Sequence, residues 1–414
     1  MISPLIFTEM FGLLELIVLL LFPIAIVTSI TLASVLIYIG IFIFAFKAFF
    51  TYRDKIANFL SFNKKENFFF YINLGFLIYI ASFSFSRLIN TGVQNSLHSL
   101  LRTSQDYFIF LWPLLFAITS KKNKNILKYS ILLAGIVSVS YGLLQFLGFD
   151  FFNRQTDLLR LSGFHKNPYS YGGQLIIFFF FFLYYIFEEN KNYNSFLKLL
   201  FVVLTLFCIF NTSQRAVIFG VLLGLSYYLI FNKPGIKYAL KSMAIISSVF
   251  LIAVYFNKSI LERIKSVFVR RRGARANPRL KIWKIAIGLW KKNIFFGVGK
   301  FTRIYYQFSE GFAPQLLTHA HNVYIQILVV NGILGLFGFI NLFLSIVRTF
   351  FGNICSGESI IWRNCVLSVI LSFLVEGIFE FFWGDSEVRY LLLYFLGFAL
   401  ANFFEVSRDR SNEL

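Results

Sequence analysis

The chain has 414 residues, of which 58% are hydrophobic and 14% charged, with 57 phenylalanines and a formal net charge of +20. A mean hydropathy of +0.72 excludes a water-soluble globular domain, because no soluble core hides that much apolar surface. It points to an all-α polytopic membrane protein: runs such as Leu13 to Ile30 and Tyr169 to Phe187 suit a helix of roughly 20 residues crossing hydrocarbon and lack the alternation of barrel strands.

In chain order, spans are predicted near 11–29, 31–50, 68–85, 107–119, 126–148, 169–187, 196–211, 216–232, 241–256, 321–347, 361–381 and 388–404. The first two are divided only by Thr28, Ser29 and Thr31, and the fourth is short for a crossing. No basic segment precedes the first apolar run, so that span is expected to be an uncleaved signal-anchor. With both termini inside, Lys47, Arg53, Lys55, Lys64 and Lys65 fall in one inner cluster and Lys121, Lys122, Lys124 and Lys128 in another, as basic residues in short loops require. Cys208, Cys355 and Cys365 lie in spans or beside the inner face, where thiols stay reduced, so no disulfide is expected. The organisation predicted is residues 1–256 for transmembrane helices 1–9, 257–320 for a basic outer loop, 321–404 for helices 10–12 and 405–414 for a cytoplasmic tail.

The loop at 257–320 is long enough to escape the charge rule, so its run of Lys and Arg is compatible with an outer position. Within it Trp283, Ala286, Ile287, Trp290 and Ile294 follow helical spacing, with Lys281, Lys284, Lys291 and Lys292 on another face. That pattern predicts an amphipathic helix lying on the membrane. Arg279, four residues before Trp283, falls beside the apolar face; it points into a cavity or contacts a lipid headgroup.

All four histidines, His98, His165, His319 and His321, fall in predicted outer loops or at an outer helix end, together with Arg87, Arg102, Arg154, Arg160 and Arg215. Arg215 follows Asn211-Thr212-Ser213-Gln214 at the mouth between two spans, where a guanidinium holds a phosphate bidentately or snorkels to headgroups. His321 is predicted to start a helix whose face carries Ile325, Leu328, Gly332 and Gly335, small residues that admit a neighbouring helix. It is there a positioned base or a simple helix cap. His319 and His321 make a His-x-His pair, but no acidic or cysteine partner lies near them in sequence, so no metal is expected. Glu376, Glu380, Asp385 and Glu387 form an acidic counterweight that pairs the arginines or contacts substrate. The chain has no Asp-x-Asp pair for a metal-bound nucleotide sugar and no phosphate-binding loop for ATP, so a handled sugar is expected on a lipid carrier.

These pieces together resemble the O-antigen ligase and O-antigen polymerase superfamily of bacterial inner membranes. Ser162-Gly163-Phe164-His165-Lys166-Asn167-Pro168 is similar to the family's Gly-Phe/Tyr-x-x-Asn-Pro segment, and Ser213-Gln214-Arg215 to its Ser-Arg turn, with Gln214 a departure. Arg279 with Trp283, then Phe296-Gly297-Val298-Gly299, looks like the Arg-x-x-x-Trp and Gly-x-Gly stretch. His321-Asn322, nine residues, then Gly332-Ile333-Leu334-Gly335 resembles the ligases' His-Asn to Gly-x-x-Gly spacing.

The resemblance implies a GT-C-like fold of about twelve helices with a periplasmic loop carrying amphipathic helices. It further implies an inverting, metal-independent glycosyl transfer, without cofactor, from an undecaprenyl-diphosphate-linked glycan to lipid A-core at the periplasmic face. Arg215 and Arg279 would clamp the donor diphosphate and His321 would activate the acceptor hydroxyl, with His319 a rival. His319, Arg154, Arg160, His165, Asn322, Arg303 and Trp283 are the expected substrate-binding set. Membrane lipids are the other expected partners, and nucleic acid is not. A polymerase with the same donor and a lipid-linked glycan acceptor stays open, as does an oligosaccharyltransferase acting on protein. An anionic solute or lipid transporter fits less well, because the charges gather at outer ends rather than mid-membrane.

Overall fold

The computed structural model describes residues 4–50, 67–155, 160–187, 195–232, 236–257, 260, 278–301, 319–352 and 358–411. Arg303, Cys355 and most of the basic 257–320 segment lie outside the described residues. The described chain is helical throughout: α1 (Pro4–Thr28), α2 (Ile30–Phe50), α3 (Asn67–Thr91), α4 (Val93–Thr119), α5 (Lys121–Phe146), α6 (Pro168–Phe187), α7 (Ser195–Asn211), α8 (Arg215–Asn232), α9 (Ile236–Phe256), α10 (Pro278–Trp290), α11 (Val323–Gly352), α12 (Glu358–Phe379) and α13 (Ser386–Ser411). A 3-10 turn, Phe382–Gly384, joins the last two.

Eight of these helices, α1, α2, α3, α5, α6, α8, α11 and α12, are long and apolar enough to cross a membrane. With α7 and α9 as shorter apolar helices, the chain is a multi-pass membrane protein. Each of the twelve predicted segments falls on a helix, and Ser29 separates α1 from α2 as the polar break suggested. The fourth segment needs correction: its helix begins at Val93, not near 107. Hydropathy hides the first half because it carries Gln94, Asn95, His98, Arg102 and Asp106. The fold draws Asp106 inward, where it is 2% exposed and accepts from Arg389 Nε of α13 at 2.9 Å. His98 is exposed on the first turns of the same helix.

One apolar core runs through the bundle, with α3 packed along α11, α8 along α12, and α4 along α13. At its centre the Phe178 to Phe182 run of α6 is buried on every side, so hydrophobicity all round the helix marks a central position rather than a lipid-facing one. Glu15 of α1 is fully buried and is neutralised by Lys47 of α2, while Trp112 donates to it at 2.8 Å. An ionised pair inside a bundle persists only when its oxygens are satisfied in this way.

The face predicted for α11 is also corrected. His321 precedes the helix, and the helix itself is broken at Gly332, which has φ 70° and ψ −169°. Phe295 to Gly299 fills the break: Val298 N–H donates to Val329 O at 2.8 Å, Gly299 N–H to Val330 O at 3.0 Å, and Ile333 N–H to Ile294 O at 2.9 Å. Freed backbone groups are thus paired by protein, the condition for a broken helix in a bilayer. The Gly-x-Gly and Gly-x-x-Gly pieces meet because each supplies the conformation and close approach the other needs. A Cβ on Gly332 would lie 2.1 Å from Phe295 O. Gly332→Ala is therefore expected to lower stability by at least about 1–3 kcal/mol from backbone strain alone. Gly288, with nothing within 4 Å of its would-be Cβ, is the control, and Gly288→Ala leaves the melting temperature of detergent-purified protein unchanged or higher.

The amphipathic helix exists as α10, but it ends at Trp290, so Ile294 sits beyond it in the turn. Its buried face is Ile282, Ala286 and Leu289, packed against Val329 and Val330 of α11 with Val298, Phe301 and Ala320. Its apolar stripe is therefore at least partly spent on the protein.

Candidate active site

The two histidines owe their position to Ala320, which is fully buried between them. Its N–H donates to Gln326 Oε1 at 2.8 Å, and its carbonyl accepts the Trp283 indole N–H at 2.9 Å. Trp283 thus fixes the histidine segment from α10. Asn322 caps α11, its side-chain oxygen accepting from Ile325 N–H at 2.8 Å while its amide donates to Ile378 O at 2.9 Å. Those contacts leave His321 at φ 49°, a left-handed conformation that costs a non-glycine residue and persists where surrounding structure holds it.

Glu380, just past the end of α12, joins the cluster. Its Oε1 lies 2.9 Å from His321 Nδ1 and 3.9 Å from His319 Nδ1, and its Oε2 lies 3.5 Å from Arg279 Nη2. A carboxylate only accepts, so His321 Nδ1 carries a proton, and in the neutral ring it is Nε2 that holds the lone pair. The backbone N–H of His321 donates to His319 Nδ1 at 3.2 Å, which makes that nitrogen an acceptor. Burial, helped by the neighbouring His321, pushes His319 down to about 4, so it is neutral in ordinary buffers. Burial pulls Glu380 upward, but its hydrogen bond and charge contact with His321, together with His319, hold the carboxyl below its ordinary value.

A cavity of about 390 Å³ opens beside this cluster, lined by His319, His321, Glu380, Asp385, Asn167 and Tyr169 among others. Burial, and then the charge of Glu387, raises Asp385 to about 7, with Ser170 Oγ donating to it at 3.2 Å. Two carboxyls pushed in opposite directions in one cleft divide into a fixed charge and a group able to exchange a proton near neutrality. The sequence placed both only in a general acidic counterweight; the short linker between α12 and α13 was the available signal.

From the loop ahead of α6 and its first turn, Asn167 and Tyr169 line the cavity. Gln145 clamps Gly163 through both its atoms, at 2.8 Å each, and His165 Nε2 pairs with Gln174 Oε1 at 3.1 Å. Burial lowers His165 from its usual range. Arg160 donates through Nε to Thr212 O at 3.0 Å and lies 5.3 Å from the Tyr169 ring centre. It thereby ties the Gly163 loop to the Ser213 turn, where Ser213 also has positive φ, 56°. Arg154 has a buried Nε without a partner among the described residues. Arg215 opens α8 and is exposed; it lines neither described cavity.

The structure therefore gathers Arg279, His319 and His321 on Glu380, sets Trp283 and Asn322 as supports beneath them, and leaves Arg160 and His165 in the loop ahead of α6, outside the cavity lining. The expectation that the histidine pair lacks an acidic partner holds only along the chain, because α12 delivers Glu380 in space. His319, His321 and Glu380 place their ligand atoms within 4.8 Å of one another, close enough to hold a metal ion. Arg279 already supplies a positive charge to the same carboxylate.

Residues 200–340 match the O-antigen ligase family model. The pieces from Ser213-Gln214-Arg215 to Gly332-Ile333-Leu334-Gly335 fall inside that match, and the Ser162 to Pro168 piece lies outside it. No curated protein matches the chain. The O-antigen ligase segment includes Arg215, Arg279, His319 and His321 but ends before Glu380 and Asp385, so the matched segment and the helices that follow it complete the cluster together.

Proposed function

We propose that the protein is a metal- and ATP-independent O-antigen ligase of the bacterial inner membrane, its site facing the periplasm. It moves a glycan from undecaprenyl diphosphate to a hydroxyl of lipid A-core. The observation that carries the reading is Glu380 bridging His321 and Arg279 beside a cavity that Glu380 and His321 line, within and beside the segment that matches the O-antigen ligase family.

His321 Nε2 accepts the proton of the acceptor hydroxyl as its oxygen bonds to the anomeric carbon. The bond from that carbon to the diphosphate oxygen breaks on the opposite face, and the diphosphate leaves with the electron pair and the anomeric configuration inverted. Glu380 stabilises the imidazolium that forms, as an orienting carboxylate does in a triad. Arg279 meets the charge developing on the diphosphate, an interaction stronger at a dry membrane rim than in water. Arg215 completes that clamp if the donor spans from α8 to α10. Activation is already stored in the polyprenyl diphosphate bond.

Purified protein supplied with undecaprenyl-diphosphate glycan and lipid A-core is expected to yield the conjugate in the presence of EDTA and without ATP. Extension of the donor chain instead identifies a polymerase. Conjugation lost to EDTA and restored by a divalent cation assigns the histidine pair and Glu380 to a metal, and transport without either product removes the enzyme reading.

A further inference from the structure

A second cavity, about 230 Å³ in volume, lies behind Phe381 and Gly384, which line both spaces. That is far above the roughly 10–15 Å³ needed by one water. Its described lining sets four cations, Arg87, Arg102, Lys300 and Arg389, against the single carboxylate of Asp106. Asp106 is already committed, accepting from Arg389 Nε at 2.9 Å.

Arg102 is exposed and donates through Nη2 to Ser386 Oγ at 3.3 Å, but several buried polar atoms of the lining are not matched by protein. Arg389 is 4% exposed; its Nη1 donates to Trp383 O at 2.5 Å, while Nη2 is buried with no partner among the described residues. Arg87 Nε is likewise buried and unpartnered. Asn331, fully buried one residue before the break in α11, has neither amide atom paired among the described residues. Buried donors left unmade cost about 1–3 kcal/mol each, more for a charged group. Such a cluster beside a catalytic cleft is built for an occupant with several acceptor oxygens.

We infer that this cavity is a phosphate- or diphosphate-binding site, serving one of the two lipid substrates of the reaction proposed above and distinct from the Arg215 and Arg279 clamp. It rests on that reading for its biological source, but its ligand chemistry follows from the lining. Arg389 Nη2 and Arg87 Nε are the buried donors left free, while the exposed Arg102 adds a guanidinium and Lys300 a point charge. The consecutive helices α3 and α4 meet α13 and Lys300, which follows the segment filling the α11 break, and no motif spans these pieces.

The test uses the full chain in nanodiscs of zwitterionic lipid, with inorganic diphosphate as probe. Arg87→Gln with Arg102→Gln is expected to weaken diphosphate binding on the order of 100-fold, the loss of two charge-assisted hydrogen bonds, while Gly288→Ala, whose added Cβ meets nothing within 4 Å, binds as wild type. Diphosphate is also expected to protect Arg87 and Arg102 of the wild-type protein from phenylglyoxal, read by mass spectrometry. Should the double variant fail to insert, Lys300→Gln and this labelling carry the test. Undecaprenyl diphosphate or lipid A in the nanodisc competes with the probe, and whichever does so names the source. Unchanged binding in the arginine variant, absent protection, or a probe that neither lipid displaces overturns the inference. Because binding is read without acceptor, a protein that binds diphosphate here and transfers nothing sinks the ligase reading alone.

Discussion

His321→Ala is expected to lower glycan transfer by about 10²–10⁴-fold, the usual contribution of a positioned general base, with membrane insertion and melting temperature close to wild type. The side chain is a quarter exposed toward the cavity, so its removal opens no sealed void. His319→Ala is expected to retain a measurable fraction of activity. Its Nδ1 is occupied by the His321 backbone, 3.2 Å away, and its role is to hold that backbone in a left-handed turn. The reverse ranking in a single-turnover assay assigns the base to His319. Asp385 offers a third outcome, since it lines the same cavity and is raised to about 7. If it accepts the proton, Asp385→Asn abolishes transfer and His321→Ala does not; if it only sets the local field, Asp385→Asn moves the pH profile and leaves turnover within a few fold of wild type.

Glu380→Gln should be at least as damaging, by about 10³–10⁴-fold, although the new side chain is almost the same size. An amide at that position donates to His321 Nδ1 as readily as it accepts, so Nε2 is driven to carry the proton and loses the lone pair needed for chemistry. The substitution also leaves Arg279 beside a neutral group. The sign of the pH dependence follows from the folded carboxyl lying below its ordinary value. Its stabilising contribution is fully present above the unfolded value of about 4.3 and is lost as pH falls through the lower folded value. The gap in melting temperature between wild type and Glu380→Gln is therefore constant from neutrality to about pH 5 and narrows only below that. A gap that widens on acidification contradicts the assignment of Glu380 as the ionised partner, as does a Glu380→Gln variant that transfers at the wild-type rate.

Much of the frame was legible along the chain because the bilayer imposes a local rule. Each helix must satisfy its own backbone and offer apolar side chains over a fixed thickness, and both conditions are written residue by residue. Where that rule was diluted, the reading slipped. The polar first half of α4 concealed the helix because Arg102 and Asp106 are accommodated by other helices, not by lipid. The stripe of α10 was detected a position out of register, since side chains buried on a protein face and those meeting a membrane look alike in spacing.

The motif pieces were visible individually, yet their meaning is tertiary. Gly332 and Gly335 read as a seam for a neighbouring helix, whereas Gly332 is the point where α11 breaks and receives Phe295 to Gly299. Trp283 and Asn322 were expected on substrate, and the fold occupies them in holding Ala320 and in capping α11.

By itself the sequence determined that the chain lives in a membrane, where its helices fall, and which histidines and arginines stand near the helix ends, for those follow from local hydrophobicity and spacing. Only the tertiary structure decided that Glu380 meets His321 and Arg279, that Asp106 meets Arg389, and that Arg87, Arg102 and Arg389 share a cavity. Apart from Arg87 and Arg102 on consecutive helices, these partners come from elements far apart along the chain, and the force that joins them, the cost of leaving a buried charge or donor unmatched, acts through space and leaves no periodic trace in the sequence.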